Sequence, residues 1–180
     1  DKIVFDGRSE FYHDFSDFNV SIEIPKEYVV WASTSPINAD DIYPKKIRSR
    51  LKEVENSNDK VVIVSEDDLD KGLKMKSNIW KYEVENFPDF SFAFSDHYLW
   101  ESRSYQDDFG SYSLNSAYPA KNENFGMVVN LEVEAMEIFH TTFPKFPFPF
   151  KHFVAFNGET GGGMEFAGMC NNSVKKNTST

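Results

Sequence analysis

The segment Asn157-Gly-Glu-Thr-Gly-Gly-Gly-Met-Glu-Phe166 places three consecutive glycines beside a carboxylate, and the rest of the chain is predicted to be its scaffold. Glycine has no Cβ, so residues 161–163 permit positive φ angles and a close approach of the backbone to a ligand. Met164, Glu165 and Phe166 are predicted to begin a strand, with Glu165 on the face opposite its two apolar neighbours. A carboxylate beside free backbone amides is suited to bind a peptide N-terminus, although a simple hairpin turn is the alternative interpretation.

Apolar-polar alternation predicts several strands upstream of this segment. Residues 19–25 alternate with a period of two, and Pro25 ends the pattern. Residues 28–32 are rich in β-branched and aromatic side chains, so we expect them to pair antiparallel with the preceding strand as a hairpin. Further strands are predicted at 60–64, 79–84, 89–94 and 151–156, with a strand pair between 101 and 119.

Helical signals occur in the first half of the chain as well. An amphipathic helix is predicted after Pro44, which is suited to the first helical position. Its buried face is predicted from three apolar residues at helical spacing, Ile47, Leu51 and Val54. Ser65 and Asp68 have the spacing of a capping box and predict a short helix over 66–73.

The longest predicted helix covers residues 120–142. It has a broad apolar stripe, which implies burial against a sheet. Its acidic residues are expected to lie largely outside that stripe, namely Glu132, Glu134 and Glu137. Three prolines between 144 and 149 prevent the helix from continuing.

The motif Gly162-Gly163-Met164-Glu165-Phe166 resembles the G-[AG]-M-E-N exopeptidase motif of the zinc aminopeptidase family, which includes aminopeptidase N and leukotriene hydrolase. Phe166 stands where the family usually has Asn. The context is also similar, because an aromatic-proline segment, 143–150, and a predicted strand, 151–156, precede the motif.

This resemblance implies a role for each residue of the motif. Glu165 would bind the α-ammonium group of a peptide substrate and limit cleavage to one residue. The backbone of Gly162 and Gly163 would line the cleft and contact the peptide main chain, and Met164 belongs to the same substrate-binding motif. The intact enzyme would remove N-terminal residues from peptides, with its zinc activating water.

The zinc ligands of the family lie in an H-E-x-x-H motif downstream of the glycine motif. The chain ends at Thr180 before such a motif. No two of its four histidines are four residues apart, these being His13, His97, His140 and His152. We therefore expect the front part of a larger enzyme, with zinc in the intact parent, no cofactor or catalytic residue in this chain, and no hydrolysis by the chain alone.

The implied fold is α+β and rich in strands. Residues 1–100 are expected to be part of an N-terminal β-sandwich domain, and residues 101–170 the first helix and sheet of a thermolysin-like catalytic domain. Residues 171–180 are polar and are predicted to be a flexible tail. The partners implied are peptide N-termini and the remainder of the catalytic domain, and apolar surface left uncovered also predicts a possible dimer.

The composition of the chain bears on its core, its partners and its relation to membranes. The chain has 18 Phe, 8 Tyr and 3 Trp, which favour strands and a large core. Its net charge of −10 argues against nucleic acid and anionic lipid as partners. No apolar run is long enough for a membrane span, and no signal-type apolar region is present.

Two features of the sequence bear on the compartment. Cys170 is the single cysteine, so an internal disulfide is impossible and cysteine usage decides nothing. The chain begins at Asp1 without Met, which suggests an extracytoplasmic or periplasmic protein whose signal peptide is absent. Two other interpretations remain open: a non-catalytic β-rich module that binds a protein or glycan, and an inactive member of the aminopeptidase family.

Overall fold

A computed structural model describes residues 13–158 and 162–173, and within these ranges the chain is a strand-rich α/β fold. The strands are β1 (Ser16–Glu23), β2 (Val29–Ala32), β3 (Val61–Val64), β4 (Ile79–Phe87), β5 (Phe92–Ser95), β6 (Tyr98–Asp107), β7 (Gly110–Pro119), β8 (His152–Asn157), β9 (Gly163–Phe166) and β10 (Met169–Asn172). The helices are α1 (Ala39–Ile42), α2 (Lys45–Glu55), α3 (Glu66–Asp70) and α4 (Val128–Thr141), and a 3-10 helix (Ala120–Met127) precedes α4. No helix of the described part of the chain has the length and apolar content needed to cross a membrane.

The largest sheet has six strands in the order β3-β6-β7-β8-β10-β9. Strands β6 and β7 form a long antiparallel hairpin, while β7, β8 and β10 run parallel to one another. Among the described strands, β9 pairs with β10 alone, and it does so antiparallel. The glycine motif therefore lies on the edge strand of this sheet, and the strand that follows it in sequence lies inside.

The predicted hairpin of β1 and β2 is wrong. Strand β1 pairs with β4, and β2 pairs with β5, both antiparallel. A turn does occur, because Tyr28 N–H donates to the Pro25 carbonyl at 3.1 Å, but it directs the two strands to different sheets. All four residues of β2 are buried, whereas β1 is half exposed along its length. A strand buried on both faces needs core partners on both sides, which a hairpin with β1 does not supply.

The helices predicted after Pro44 and after Ser65 are both confirmed. Ile47 and Val54 are buried on the inner face of α2, and Pro44 is the residue immediately before its first turn. Ser65 caps α3 through a complete capping box, because its hydroxyl accepts from the Asp68 N–H and the Asp68 side chain accepts from the Ser65 N–H. The predicted helix over 66–73 ends earlier, at Asp70.

The long helix predicted over 120–142 is divided. Its first part is the 3-10 helix, in which Asn122 has φ −109° and ψ 50°, outside the helical region. The Asn122 amide donates to Asn157 Oδ1 at 2.6 Å, so this backbone departs from the α-helix where it is tied to the end of β8. The second part, α4, lies on β6 and β7 and buries Val129 and Met136 against them.

One large core connects the two predicted domains. Its buried members include residues from β2, β4, β6, β8 and β10, such as Trp31, Trp80, Trp100, Val154 and Met169. The predicted boundary between residues 100 and 101 lies within β6, and β3 joins the six-stranded sheet from the first predicted domain. Two residues of the predicted tail, Asn171 and Asn172, belong to β10, whereas residues 174–180 lie outside the described ranges.

Candidate functional site

The predicted site lies at the start of β9. Gly162 has a φ of 116°, which L residues with a Cβ rarely adopt, and an added Cβ there would meet nothing within 4 Å. Its carbonyl accepts hydrogen bonds from the N–H and the hydroxyl of Ser173, at 3.2 and 3.0 Å. The positive φ predicted for the glycines is therefore confirmed at Gly162, and the need for glycine here comes from the turn. Gly161 lies outside the described residues.

Glu165 is exposed, and its carboxylate lies over the neighbouring glycine. A Cβ added to Gly163 would be 3.4 Å from Glu165 Oε1. Phe166, which departs from the family motif, packs against the large core, while Met164 is 39% exposed. The structure thus brings Glu165 beside the Gly163 backbone at the free edge of the sheet, and it uses Phe166 to anchor the strand.

The strand register connects Glu165 to the sheet interior. Ladder partners share a face, and they align Glu101 with Ser116, Ser116 with Ala155, Ala155 with Cys170, and Cys170 with Glu165. We call this line of residues across the sheet, which includes Glu101, Ser116, Cys170 and Glu165, the polar row. The polar row runs under the 3-10 helix and the start of α4, because Ala155 packs in one cluster with Phe125 of the 3-10 helix and Val128 of α4. It begins at a buried carboxylate and ends at the exposed one.

Cys170 is not suited to nucleophilic chemistry. Burial raises the pKa of its thiol to about 12, and the neighbouring acids Glu132 and Glu165 act in the same direction. A thiol with this pKa is almost entirely protonated at neutral pH, whereas the thiolate is the reactive form. Its role in the polar row is therefore packing.

The burial of Glu132 beside the candidate site was not predicted from the sequence. Its two carboxylate oxygens are buried, and among the described residues no donor has the distance and angle of a good hydrogen bond to them. Burial raises the pKa of Glu132 well above its usual range, opposed by the backbone of Ala155. The expectation that this glutamate avoids the apolar stripe is wrong, because it is spaced three and four residues from Val129 and Met136, on the face of α4 that meets the sheet. That spacing was available in the sequence.

The histidines are dispersed in the fold. His97 is exposed and contacts Asp96, whereas His140 is buried at the end of α4 and His152 lies on β8. No group of three or more His, Cys, Asp or Glu side chains is placed to hold a metal among residues 13–158 and 162–173. The resemblance places the zinc in the remainder of the parent protein, so that expectation stays a prediction, and no step of a reaction is assigned to a metal here.

Comparison of the chain with models of known protein families gives no match, and comparison with curated protein sequences gives none.

Proposed function

We propose that residues 162–166 recognise the N-terminus of a peptide in a zinc aminopeptidase-like protein, of which this chain forms the front part. The observation that supports this best is the position of Glu165, an exposed carboxylate beside the Gly163 backbone on an edge strand. A buried or ion-paired glutamate would not be available to a ligand. Hydrolysis itself is assigned to the remainder of the protein.

The proposed mode of peptide binding depends on the unpaired edge of β9. No other strand of the described chain pairs with this edge, so its backbone N–H and C=O groups are available to an extended peptide. The peptide main chain would pair with that edge, and its terminal ammonium would reach the Glu165 carboxylate. A hydrogen bond to a charged group contributes about 1.5–3 kcal/mol, which is enough to favour a free amine over a blocked one.

The fold is proposed to correspond to the same family. In this proposal, β1, β2, β4 and β5 belong to the end of an N-terminal β-sandwich, and the six-stranded sheet with α4 belongs to a thermolysin-like catalytic domain. The outer side of α4 is apolar and exposed, and we assign it to contact with the rest of that domain or with a second copy. Its members are Leu131, Ile138 and Phe139, together with Met127 at the end of the preceding 3-10 helix, and they are between 42% and 57% exposed.

The direct test uses the chain as it is, with isotope-labelled protein and two tripeptide amides that differ only in N-terminal acetylation. The free peptide is expected to shift the backbone amide signals of β9 and β10, and the acetylated one to shift them at least about tenfold less at equal concentration. Glu165→Gln should remove this difference. Glu134→Gln, an exposed change on the far side of α4, is the matched control and should leave it intact.

A result in which both peptides shift β9 equally, or in which Glu165→Gln keeps the preference for the free amine, would contradict the assignment of Glu165. In the intact enzyme, Glu165→Gln is expected to lower kcat/KM for amino-terminal substrates by roughly tenfold to a hundredfold. Unchanged kcat/KM would contradict the same role.

A further inference from the structure

The face of the six-stranded sheet that is turned away from α4 borders a cavity of about 420 Å³. It lies between α2 and the β6–β7 hairpin, and we call it the hairpin cavity. A second cavity of about 670 Å³ adjoins it, because both are lined by Ser35, Ser113, Lys151 and His152. Pockets for small molecules typically have about 300–1,000 Å³. The hairpin cavity is therefore large enough for a ligand of one or two sugar-sized rings.

The wall formed by the hairpin is polar and uncharged. Strand alternation sends every second residue of β6 and β7 to this face, and their side chains carry hydroxyl or amide groups. The residues are Ser102, Ser104, Gln106, Ser111, Ser113 and Asn115. Ser102 and Asn115 are buried and already hydrogen-bonded to Leu114 and Trp100. The side chains open to a ligand are those of Ser104, Gln106, Ser111 and Ser113, which are half-buried or exposed.

These groups offer both donors and acceptors. The Ser104 hydroxyl donates to the Ser57 carbonyl at 2.7 Å, which leaves its oxygen lone pairs to accept. The Ser113 hydroxyl accepts from the Asn115 amide at 3.1 Å, which leaves its own proton to donate. A ligand that matches this wall must itself donate and accept at neighbouring atoms, as hydroxyl groups do.

The charged groups at the cavity do not form an anion site. Lys151 Nζ donates to the Phe109 carbonyl at 2.8 Å and lies 3.9 Å from the centre of the Tyr112 ring. Burial lowers the pKa of His152 to about 4, against an opposing hydrogen bond to the Ala32 backbone, so the imidazole is neutral at neutral pH. Glu55 also lines the cavity and would repel an anion.

The other side of the hairpin cavity is apolar. Pro36, Ala39 and Leu51 line it, and all three are half-buried. Apolar faces of a ligand can lie against these side chains while its polar edge meets the hydroxyl wall. A purely apolar ligand would take the Gln106 amide and the Ser113 hydroxyl out of water without offering a hydrogen bond, at a cost for each group.

We propose that the hairpin cavity binds an uncharged saccharide of one or two rings. Its hydroxyl groups pair with Ser104, Gln106 and Ser113, and the C–H faces of its rings lie against Pro36 and Leu51. This inference is separate from the proposed function, because neither Glu165 nor any other residue of β9 lines either cavity. Failure of one assignment therefore leaves the other standing.

The test is titration of the full chain with cellobiose, maltose and chitobiose. Binding is measured by isothermal calorimetry and by the shifts of the backbone amide signals of β6 and β7. At least one disaccharide is expected to bind saturably with Kd below about 10 mM, and AMP and indole at least about tenfold more weakly. Gln106→Leu, at the exposed rim, and Ser35→Trp, which fills the mouth, are each expected to weaken binding at least about tenfold. Ser21→Trp on the exposed face of β1 is the control and should bind as the parent does.

The inference is overturned if none of the three disaccharides binds saturably in that range, or if AMP or indole binds as well as the sugar. It is also overturned if both Gln106→Leu and Ser35→Trp bind unchanged, because the sugar would then lie elsewhere. Gln106→Leu keeps the test decisive if Ser35→Trp does not fold. Glu165→Gln is expected to leave disaccharide binding unaltered.

Discussion

The His140 imidazole accepts, through Nε2, a hydrogen bond from the backbone N–H of Phe148 at 2.9 Å. The ring proton must then lie on Nδ1, where it is donated to Asp107. Burial acts to raise the pKa of Asp107, but hydrogen bonds from His140, from the Phe109 N–H and from Tyr105 together outweigh it, and the pKa is lowered. This arrangement ties the end of α4 both to the β6–β7 hairpin and to the segment that leads into β8.

Replacing this histidine is expected to destabilise the fold. His140→Leu leaves the Phe148 N–H and the Asp107 carboxylate without their partner, so the free energy of unfolding should fall by about 3 kcal/mol. Urea unfolding at pH 7 measures this. His97→Leu is the matched control, because His97 is 64% exposed in its side chain and should cost less than about 1 kcal/mol. Equal losses in the two variants would contradict a structural role for His140.

Asp68 makes stability depend on acid pH. Burial alone would raise its pKa, but hydrogen bonds from Arg50 and Lys46 outweigh it and hold the pKa well below the usual range. An acid whose pKa is lowered by folding adds stability above its unfolded pKa of about 3.9, and this is lost as pH falls further. Asp68→Asn is expected to lower the free energy of unfolding by about 3 kcal/mol at pH 7, and by progressively less as pH falls below about 3.9 towards the lowered pKa of the folded state.

Urea unfolding curves from pH 2 to 7 test the Asp68 prediction. Asp67→Asn is a control on the same helix, since the Asp67–Lys71 pair is exposed and should contribute less than about 1 kcal/mol at any pH. A loss in Asp68→Asn that is the same at pH 2 and pH 7 would mean that the ion pairs are not its cause.

Glu132 has the opposite dependence on pH. Burial raises its pKa, so the folded chain holds a proton that the unfolded chain releases above about pH 4.3. Stability should therefore fall as pH rises from that value, and Glu132→Gln should escape this fall. We expect the variant to be more stable than the parent by about 1–3 kcal/mol at pH 8 and nearly equal at pH 4.5.

The measurement is urea unfolding at both pH values, with Glu134→Gln as the exposed control on the same helix. If Glu132→Gln and the parent lose stability in parallel between pH 4.5 and 8, Glu132 is not the titrating group.

Gly168 and Gly72 form a matched pair of glycines. They have φ angles of 69° and 73°, but a Cβ at Gly168 would lie 2.2 Å from the Ser33 carbonyl oxygen, whereas at Gly72 it would meet nothing within 4 Å. Gly72→Ala is therefore expected to cost about 1 kcal/mol from backbone strain alone. Gly168→Ala adds a clash with backbone and should cost about 3 kcal/mol or more. Thermal unfolding compares the two, and equal costs would show that the turn shifts freely.

The sequence predicted local structure better than pairing. Strand positions and the capping box of Ser65 depend on neighbouring residues, and they were confirmed. The partner of β1 depends on a strand about sixty residues away, and the interruption at Asn122 depends on a bond to Asn157. Neither relationship leaves a local signal, so both were missed.

The candidate site was predictable only in part. The turn at Gly162 and the strand over 163–166 follow from composition and alternation. The polar row does not, because it is formed by register across five strands, and the burial of Glu132 depends on which face of α4 meets the sheet. The role of Glu165 as an amine ligand stays a prediction.

The order of strands in the sheet has a consequence for biosynthesis. Strand β9 is joined to the sheet only through β10, which leaves the ribosome after it. A nascent chain that has emerged only to Phe166 has no neighbour for its glycine segment, whatever else has already folded. The edge of the sheet formed by β9 is therefore completed only once Asn172 has been translated and has cleared the exit tunnel.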